Sequence, residues 1–214
     1  MVKICRYGKV DSTQNVAKEL IEEGEEEGLV VIADEQSKGK GRLGRKWISP
    51  SDGLYFSVVV KKQGALPLIS AVAVAKTLEE FGLRARIKWP NDVLVKNKKI
   101  AGIIIELFRN YAIIGIGVNM DTVPLKTSTA IKEQTGKSIS KDILLKRILK
   151  NFEVEDAFCE YKRLSDTIGR FVRIEMMDGF VEGTAIDIDE HGRLMLKSEG
   201  KIRKITSGDC IHLR

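Results

Sequence analysis

Residues 92–119 read DVLVKNKKIAGIIIELFRNYAIIGIGVN, and this stretch constrains the fold more than any other. Ten of its positions are Val or Ile. β-Branched side chains at that density suit a pleated surface, so the stretch reads as adjacent, buried strands. The polar KNKK at 96–99 interrupts the apolar run and suggests a hairpin turn. With RARIKWP just upstream, three β-rich stretches follow one another. Helical patterns lie elsewhere. DST at 11–13 caps a helix marked by Val16, Ala17, Leu20 and Ile21, and ISAVAVAKTLEEF, within 66–81, reads as a mostly buried helix ending at Gly82. Runs of strands with helices set apart predict an α+β fold, a mixed sheet flanked by helices.

Lys3 to Val10 reads as a first strand, Leu29 to Ala33 as a second, and GLYFSVVVKK as a third. A short helix is expected over Thr129 to Thr135. One long helix is expected near 140–164, its apolar stripe made by Ile143, Leu144, Leu145, Ile148, Leu149 and Phe152 and turned toward the sheet. From Gly169 the texture changes to short alternating runs broken by Asp-Gly, His-Gly, Glu-Gly and Ser-Gly, the pattern of a small β-barrel. The expected division is a main domain over 1–167 and a small β domain over 168–214 packed closely against it.

The chain has 214 residues, 36 basic and 30 acidic, for a net charge of +6, which favours anionic partners without demanding nucleic acid. Cys5, Cys159 and Cys210 are odd in number and form no CxxC pair. Neither a disulfide framework nor a zinc site is indicated, and a reducing cytoplasm is the expected compartment. No signal peptide and no uninterrupted apolar stretch of about 18 residues appears, so a soluble protein with no membrane partner is expected.

Four constellations carry possible chemistry. QSKGKGRLGRKW, residues 36–47, packs three glycines and five cations before Trp47. Gly39, Gly41 and Gly44 permit positive φ and close backbone approach, while Lys40, Arg42, Arg45 and Lys46 can surround phosphate or carboxylate. The same composition suits a solvated hairpin tip, and GxxxxGK[ST] is absent. KWPND at 88–92 puts Lys88 where a strand enters a turn forced by Pro90; Lys88 can face a cleft, or Trp89 and Pro90 can simply pack while Asn91 and Asp92 turn the chain. In KKIAGIIIE, Gly102 interrupts a long apolar strand and admits a ligand or a close backbone. In GIGVNM, Asn119 can bind a ligand or cap a turn.

Taken together and in order, DST (11–13), GKGRLGRKW (39–47), KWPND (88–92), KIAGIIIE (99–106) and GIGVN (115–119), followed by a small β module, strongly resemble biotin protein ligases. The resemblance covers essentially the whole chain. It implies a class II synthetase-like catalytic domain with a C-terminal SH3-like barrel, and a two-step reaction. Biotin and ATP, with Mg²⁺, give biotinyl-5′-AMP and pyrophosphate; a carrier-domain lysine then displaces AMP.

The resemblance also implies roles. Ser12, Thr13, Gln14 and Gln36 are expected to bind the ureido end of biotin, and Gly39, Lys40, Gly41 and Arg42 to lie over biotin and the adenylate phosphate. Lys88 is expected to bridge the biotin carboxyl and the α-phosphate and, with Arg42, to be catalytic. Gly102 and Ile103 are expected to floor the biotin ring. Arg45, Trp47, Asn91, Lys99 and Asn119 are expected on the ATP side, with Asp92 assisting a metal or orienting Lys88. The family loop commonly has arginine where this chain has Lys40, which keeps the charge and loses the bidentate fork. The early first strand leaves no room for a DNA-binding helix-turn-helix, so a monofunctional enzyme without DNA is expected, acting as a homodimer on a biotin carboxyl carrier protein. A lipoate or octanoate ligase or transferase is the neighbouring alternative. A nucleic-acid module is a further one, disfavoured by an aromatic content of 6%.

Overall fold

The computed structural model describes residues 2–62 and 64–213. In chain order the elements are β1 (Lys3–Val10), α1 (Thr13–Glu22), β2 (Leu29–Gln36), β3 (Leu54–Lys61), α2 (Leu66–Glu80), β4 (Ala85–Lys88), β5 (Asp92–Val95), β6 (Lys98–Phe108) and β7 (Tyr111–Val118). Then follow α3 (Ile131–Thr135), α4 (Lys141–Asn151), α5 (Ala157–Leu164), β8 (Phe171–Met176), β9 (Gly179–Ile188), β10 (Leu194–Ser198), β11 (Lys201–Ile205) and β12 (Asp209–His212). The chain forms two compact units, residues 1–63 with 97–147, and residues 64–96 with 148–214.

The first unit is built on a mixed sheet. β1 and β2 run parallel, and β2, β3, β7 and β6 follow in antiparallel order. A parallel pair needs a crossover, and α1 supplies it. Its buried face, Ala17 and Ile21, packs with Leu29, Val31, Val59 and Ile113 from three strands. The β-branched run of 103–105 pairs with 114–116 in full register, so the segment that reads as adjacent strands forms the β6–β7 pair, with β7 buried from Ala112 to Val118 and β6 half-buried at Ile104 and Ile105. β2 runs to Gln36, three residues beyond its apolar part, and so carries that side chain into the site.

In the second unit, α2 buries Leu66, Leu68, Ala71 to Ala75 and Leu78, and packs with β4, β5 and α5. β4 and β5 form an antiparallel hairpin. The C-terminal sheet is antiparallel, ordered β11-β10-β9-β8-β12. Each expected glycine turn joins two of its strands: Gly179, Gly192, Gly200 and Gly208 all have positive φ.

The single long helix expected over 140–164 is two helices. Residues 152–156 separate them, and Asp156 starts α5 by accepting a hydrogen bond from the Cys159 amide at 2.9 Å. The apolar stripe is narrower than expected: Leu144, Leu145 and Ile148 are buried, while Ile143 is exposed.

Candidate active site

A continuous polar chain lies in the buried part of the first unit, where α1 begins and β2 ends. Ser12 caps α1, its hydroxyl accepting from the Gln14 amide at 3.3 Å. The Thr13 amide donates to Gln36 Oε1 at 2.9 Å, and the Thr13 hydroxyl lies 3.2 Å from that oxygen and 2.8 Å from Ser57 Oγ. Gln36 Nε2 donates to Ser49 Oγ at 3.0 Å, which in turn donates to the Trp47 carbonyl at 3.2 Å. Ser12, Thr13 and Gln14 are at most 3% exposed. Polar groups so buried are costly unless bonded, so this chain fixes each side chain in one orientation. Gln14 Nε2 donates to the Ile113 carbonyl at 3.3 Å, while its Oε1 is buried without a hydrogen-bond partner.

The basic loop is a tight hairpin. The Trp47 amide bonds the Gly39 carbonyl at 2.8 Å, and the Gly41 amide bonds the Arg45 carbonyl at 2.7 Å. Arg42 to Gly44 make a short 3₁₀ turn. Of the two uses expected of glycine here, Gly44 takes positive φ, as does Leu43 beside it. Gly39 serves close approach: a Cβ there would stand 2.4 Å from the Trp47 carbonyl oxygen. Gly41 is crowded by Arg45.

Gly102 admits a close neighbour, and that neighbour is the Trp47 indole. A Cβ on Gly102 would lie 2.8 Å from Cζ3, and one on Gly117 2.5 Å from Nε1. The two glycines therefore make a bare shelf on β6 and β7 under the ring. Lys99 Nζ stands 5.1 Å from the ring centroid, a cation–π contact. Trp47 Nε1 is buried without a hydrogen-bond partner. Ile103 is buried beside the shelf, paired with Ile116. Asn119 donates to the Thr129 carbonyl at 3.0 Å and the Lys99 carbonyl at 3.4 Å, tying the loop that follows β7 to the Lys99 backbone.

Glu106 pairs with Lys18 at 2.5 Å and with Lys40 at 3.4 Å. Burial alone would push its carboxyl up, but the two lysines outweigh burial and hold it below the usual carboxylate value. Lys40 is thus held by a carboxylate on β6. Ser49, Ser57 and Glu106 are site neighbours that the sequence reading did not single out. Glu106 closes the KIAGIIIE motif, yet nothing in the sequence pairs it with Lys40.

The second unit holds Lys88, Asn91 and Asp92. Lys88 ends β4, directly opposite Asp92 at the start of β5, and both are half-buried. Trp89, 2% exposed, precedes Pro90 through a cis peptide bond. Its indole donates to the Gly192 carbonyl at 2.9 Å, and its amide to the Thr167 hydroxyl at 2.9 Å. His212, bonded to the same hydroxyl at 3.1 Å, is held down to about 4 by burial first and then by the Lys88 charge. Thr167 and His212 also escaped the sequence reading, because only folding brings them to residue 89. Among the described residues no three His, Cys, Asp or Glu side chains gather to hold a metal.

A biotin/lipoate A/B protein ligase family model matches residues 7–121, and a biotin protein ligase C-terminal domain model matches residues 167–213. The chain belongs to the biotin protein ligase family. It is 34% identical to the bifunctional ligase/repressor BirA of Bacillus subtilis over 94% of this chain and 71% of that protein. It is 30% identical to the biotin--[acetyl-CoA-carboxylase] ligase of Mycobacterium tuberculosis over 88% of this chain and 80% of that one. The biotin protein ligase of Aquifex aeolicus in complex with biotin and ATP superposes with a TM-score of 0.86 at 31% identity, covering 100% of both chains. The Leishmania major ligase bound to biotinyl-5-AMP gives 0.72 at 26% identity, covering 96% of this chain and 99% of that one. As a biotin protein ligase this chain activates biotin with ATP and transfers it to protein. The α+β class, the mixed sheet and the C-terminal β domain accord with that membership.

Proposed function

We propose that the buried chain Ser12, Thr13, Gln14 and Gln36 binds the ureido end of biotin, and that Gly102 and Ile103 floor its ring beside the Trp47 indole. The observation that carries this reading is the Thr13–Gln36–Ser49 network, a row of fixed donors and acceptors in an apolar wall. A neutral ligand with a polar head and an apolar ring needs that combination. Gly39, Lys40, Gly41 and Arg42 lie over biotin and the adenylate; Arg45, Trp47, Asn91, Lys99 and Asn119 serve the nucleotide. Mg²⁺ enters with ATP as part of that substrate, with Asp92 the side chain nearest in role.

In the first step a biotin carboxylate oxygen forms a bond to the α-phosphorus, the bond from that phosphorus to the bridging oxygen breaks, and pyrophosphate leaves. In the second, a carrier lysine nitrogen attacks the acyl carbon, loses a proton and expels AMP. Both steps concentrate negative charge, which Lys88 and Arg42 offset in this reading. The protein substrate is the carrier domain of a biotin-dependent carboxylase. Residues 1–167 form the catalytic domain and 168–214 the SH3-like domain, and the enzyme works as a homodimer. Among the described residues no helix is long and apolar enough to cross a membrane. The three cysteines are free thiols, which supports a reducing, cytoplasmic setting.

The test combines the protein with MgATP, labelled biotin and a carrier domain, with lipoate run in parallel. Biotin-dependent labelling that Lys88→Ala lowers at least 100-fold is expected. Unchanged labelling by that variant removes Lys88 from the mechanism, and turnover with lipoate alone overturns the substrate.

A further inference from the structure

The segment that links α5 to the C-terminal sheet runs beside β4, Ser165 bridging Ile87 in parallel. It touches the backbone on both sides of Lys88. The Asp166 amide donates to the Ile87 carbonyl at 2.7 Å, and the Trp89 amide donates to Thr167 Oγ1 at 2.9 Å. Lys88 itself is therefore the one residue between two backbone anchors that both come from 166–167.

The second anchor rests on a side chain, and that side chain is itself oriented. Thr167 Oγ1 accepts the Trp89 N–H and lies 3.1 Å from His212 Nε2. The Asp166 carboxylate, 3.5 Å from Nδ1, favours the imidazole hydrogen on that nitrogen, which leaves Nε2 as the acceptor of the Thr167 hydroxyl hydrogen. Asp166 is fixed in turn by Arg170, which donates to its carboxylate at 2.8 Å and to its carbonyl at 2.6 Å. Thr167 is fully buried, and the side chains of Asp166 and His212 are 13% and 16% exposed. Such a buried polar network holds one arrangement when every member is satisfied.

We infer that Thr167 and His212 are positioning residues for Lys88: the last strand of the chain, through His212, orients the Thr167 hydroxyl that anchors the backbone following Lys88. The role is indirect. Neither residue needs to touch substrate; they fix where the Lys88 backbone ends and the KWPND turn begins. Displacing a charge-stabilising group by a fraction of an ångström lowers the rate while ground-state binding persists. The inference rests on the proposed role of Lys88.

The experiment measures biotinyl-AMP formation from biotin and MgATP by the full chain. Thr167→Val keeps the shape and deletes the hydroxyl, Thr167→Ser restores it, His212→Phe deletes the acceptor, and His212→Gln retains one. kcat is taken per folded molecule, from near-ultraviolet circular dichroism, so that an unfolding defect does not pass for a positioning one. Thr167→Val and His212→Phe should each lose about tenfold in kcat, the equivalent of one hydrogen bond in the transition state, with both KM values within twofold. Thr167→Ser and His212→Gln should recover to within threefold of wild type. Wild-type kcat in Thr167→Val, or a Thr167→Ser rate as low as that of Thr167→Val, overturns the inference. Lys88→Ala is the separating control: if it too keeps the wild-type rate, the reading of Lys88 has failed, whereas an inactive Lys88→Ala beside a fully active Thr167→Val sinks only the positioning role.

Discussion

The Trp47 indole lies against Gly117 so closely that a Cβ there would stand 2.5 Å from Nε1. The same ring leaves only 2.8 Å for a Cβ on Gly102. The glycines of KIAGIIIE and GIGVN therefore share one physical task, keeping β6 and β7 bare where the loop returns across them.

Adding a methyl group at Gly117 tests that task. The obstacle is the far end of a side chain on a loop, so the ring gives way before the strand does, and Gly117→Ala should cost only about 1 kcal/mol of stability, the low end of overpacking. The indole should move into water. Intrinsic fluorescence should shift to the red, and, because Trp47 is proposed on the nucleotide side, the KM for ATP should rise about tenfold. A spectrum identical to wild type would show that Trp47 does not use the shelf.

Thr13 makes three hydrogen bonds in the buried polar chain, two to Gln36 and one to Ser57. Thr13→Val keeps the shape and the backbone bond to Gln36, but it leaves Ser57 without its 2.8 Å partner. An unsatisfied buried hydroxyl costs about 1–3 kcal/mol, so the urea midpoint should fall accordingly. Biotin KM should rise about tenfold and ATP KM should stay within twofold. Equal loss on both substrates would place Thr13 in general folding and not in biotin recognition.

His212 gives the fold a pH dependence whose sign is fixed. Its folded pKa is depressed to about 4 from an ordinary 6.5, by burial first, then by Lys88, with Arg170 adding to the effect and Asp166 opposing it. Between these values the unfolded chain binds the proton and the folded chain does not. Stability is therefore full above about pH 6.5 and declines as pH falls toward 4, by at most about 3 kcal/mol. Thermal unfolding followed from pH 7 to pH 5 should show that decline, and His212→Gln should flatten it. Parallel curves for the two proteins would refute the assignment to His212.

The motif positions were legible because each is marked by its immediate neighbours in sequence: Ser12 to Gln14 start α1, Gly102 lies in mid-strand, and Lys88 ends β4 just before the turn at Pro90. Local chemistry limits what such positions can do. Ser57, Ser49, Thr167 and His212 were not legible, since each gains its meaning from a partner far away in sequence, as His212 does from a hydroxyl at position 167. The break between α4 and α5 was missed for a different reason. Apolar periodicity carries through Phe152, while the decisive signal is the Asp156 cap, a single residue acting over one turn.

Lys40 stands where the resemblance leads one to expect arginine, and Glu106 gives that difference a consequence. An arginine would offer a planar fork; a lysine offers one ammonium, here 3.4 Å from a carboxylate that Lys18 shares. The pair is partly solvated and is worth at most about 1 kcal/mol, so its loss changes the open population of the loop by no more than about fivefold. Glu106→Gln should therefore speed tryptic cleavage within residues 38–46 by up to about that factor when no substrate is present. Biotin with MgATP supplies anions to the same cations, and should protect both proteins to the same final level because the adenylate then takes over the role of Glu106. Cleavage rates unchanged by Glu106→Gln would mean that the carboxylate does not hold the loop. Equal cleavage with and without biotin plus MgATP in the wild type would mean that the loop does not close over the adenylate at all.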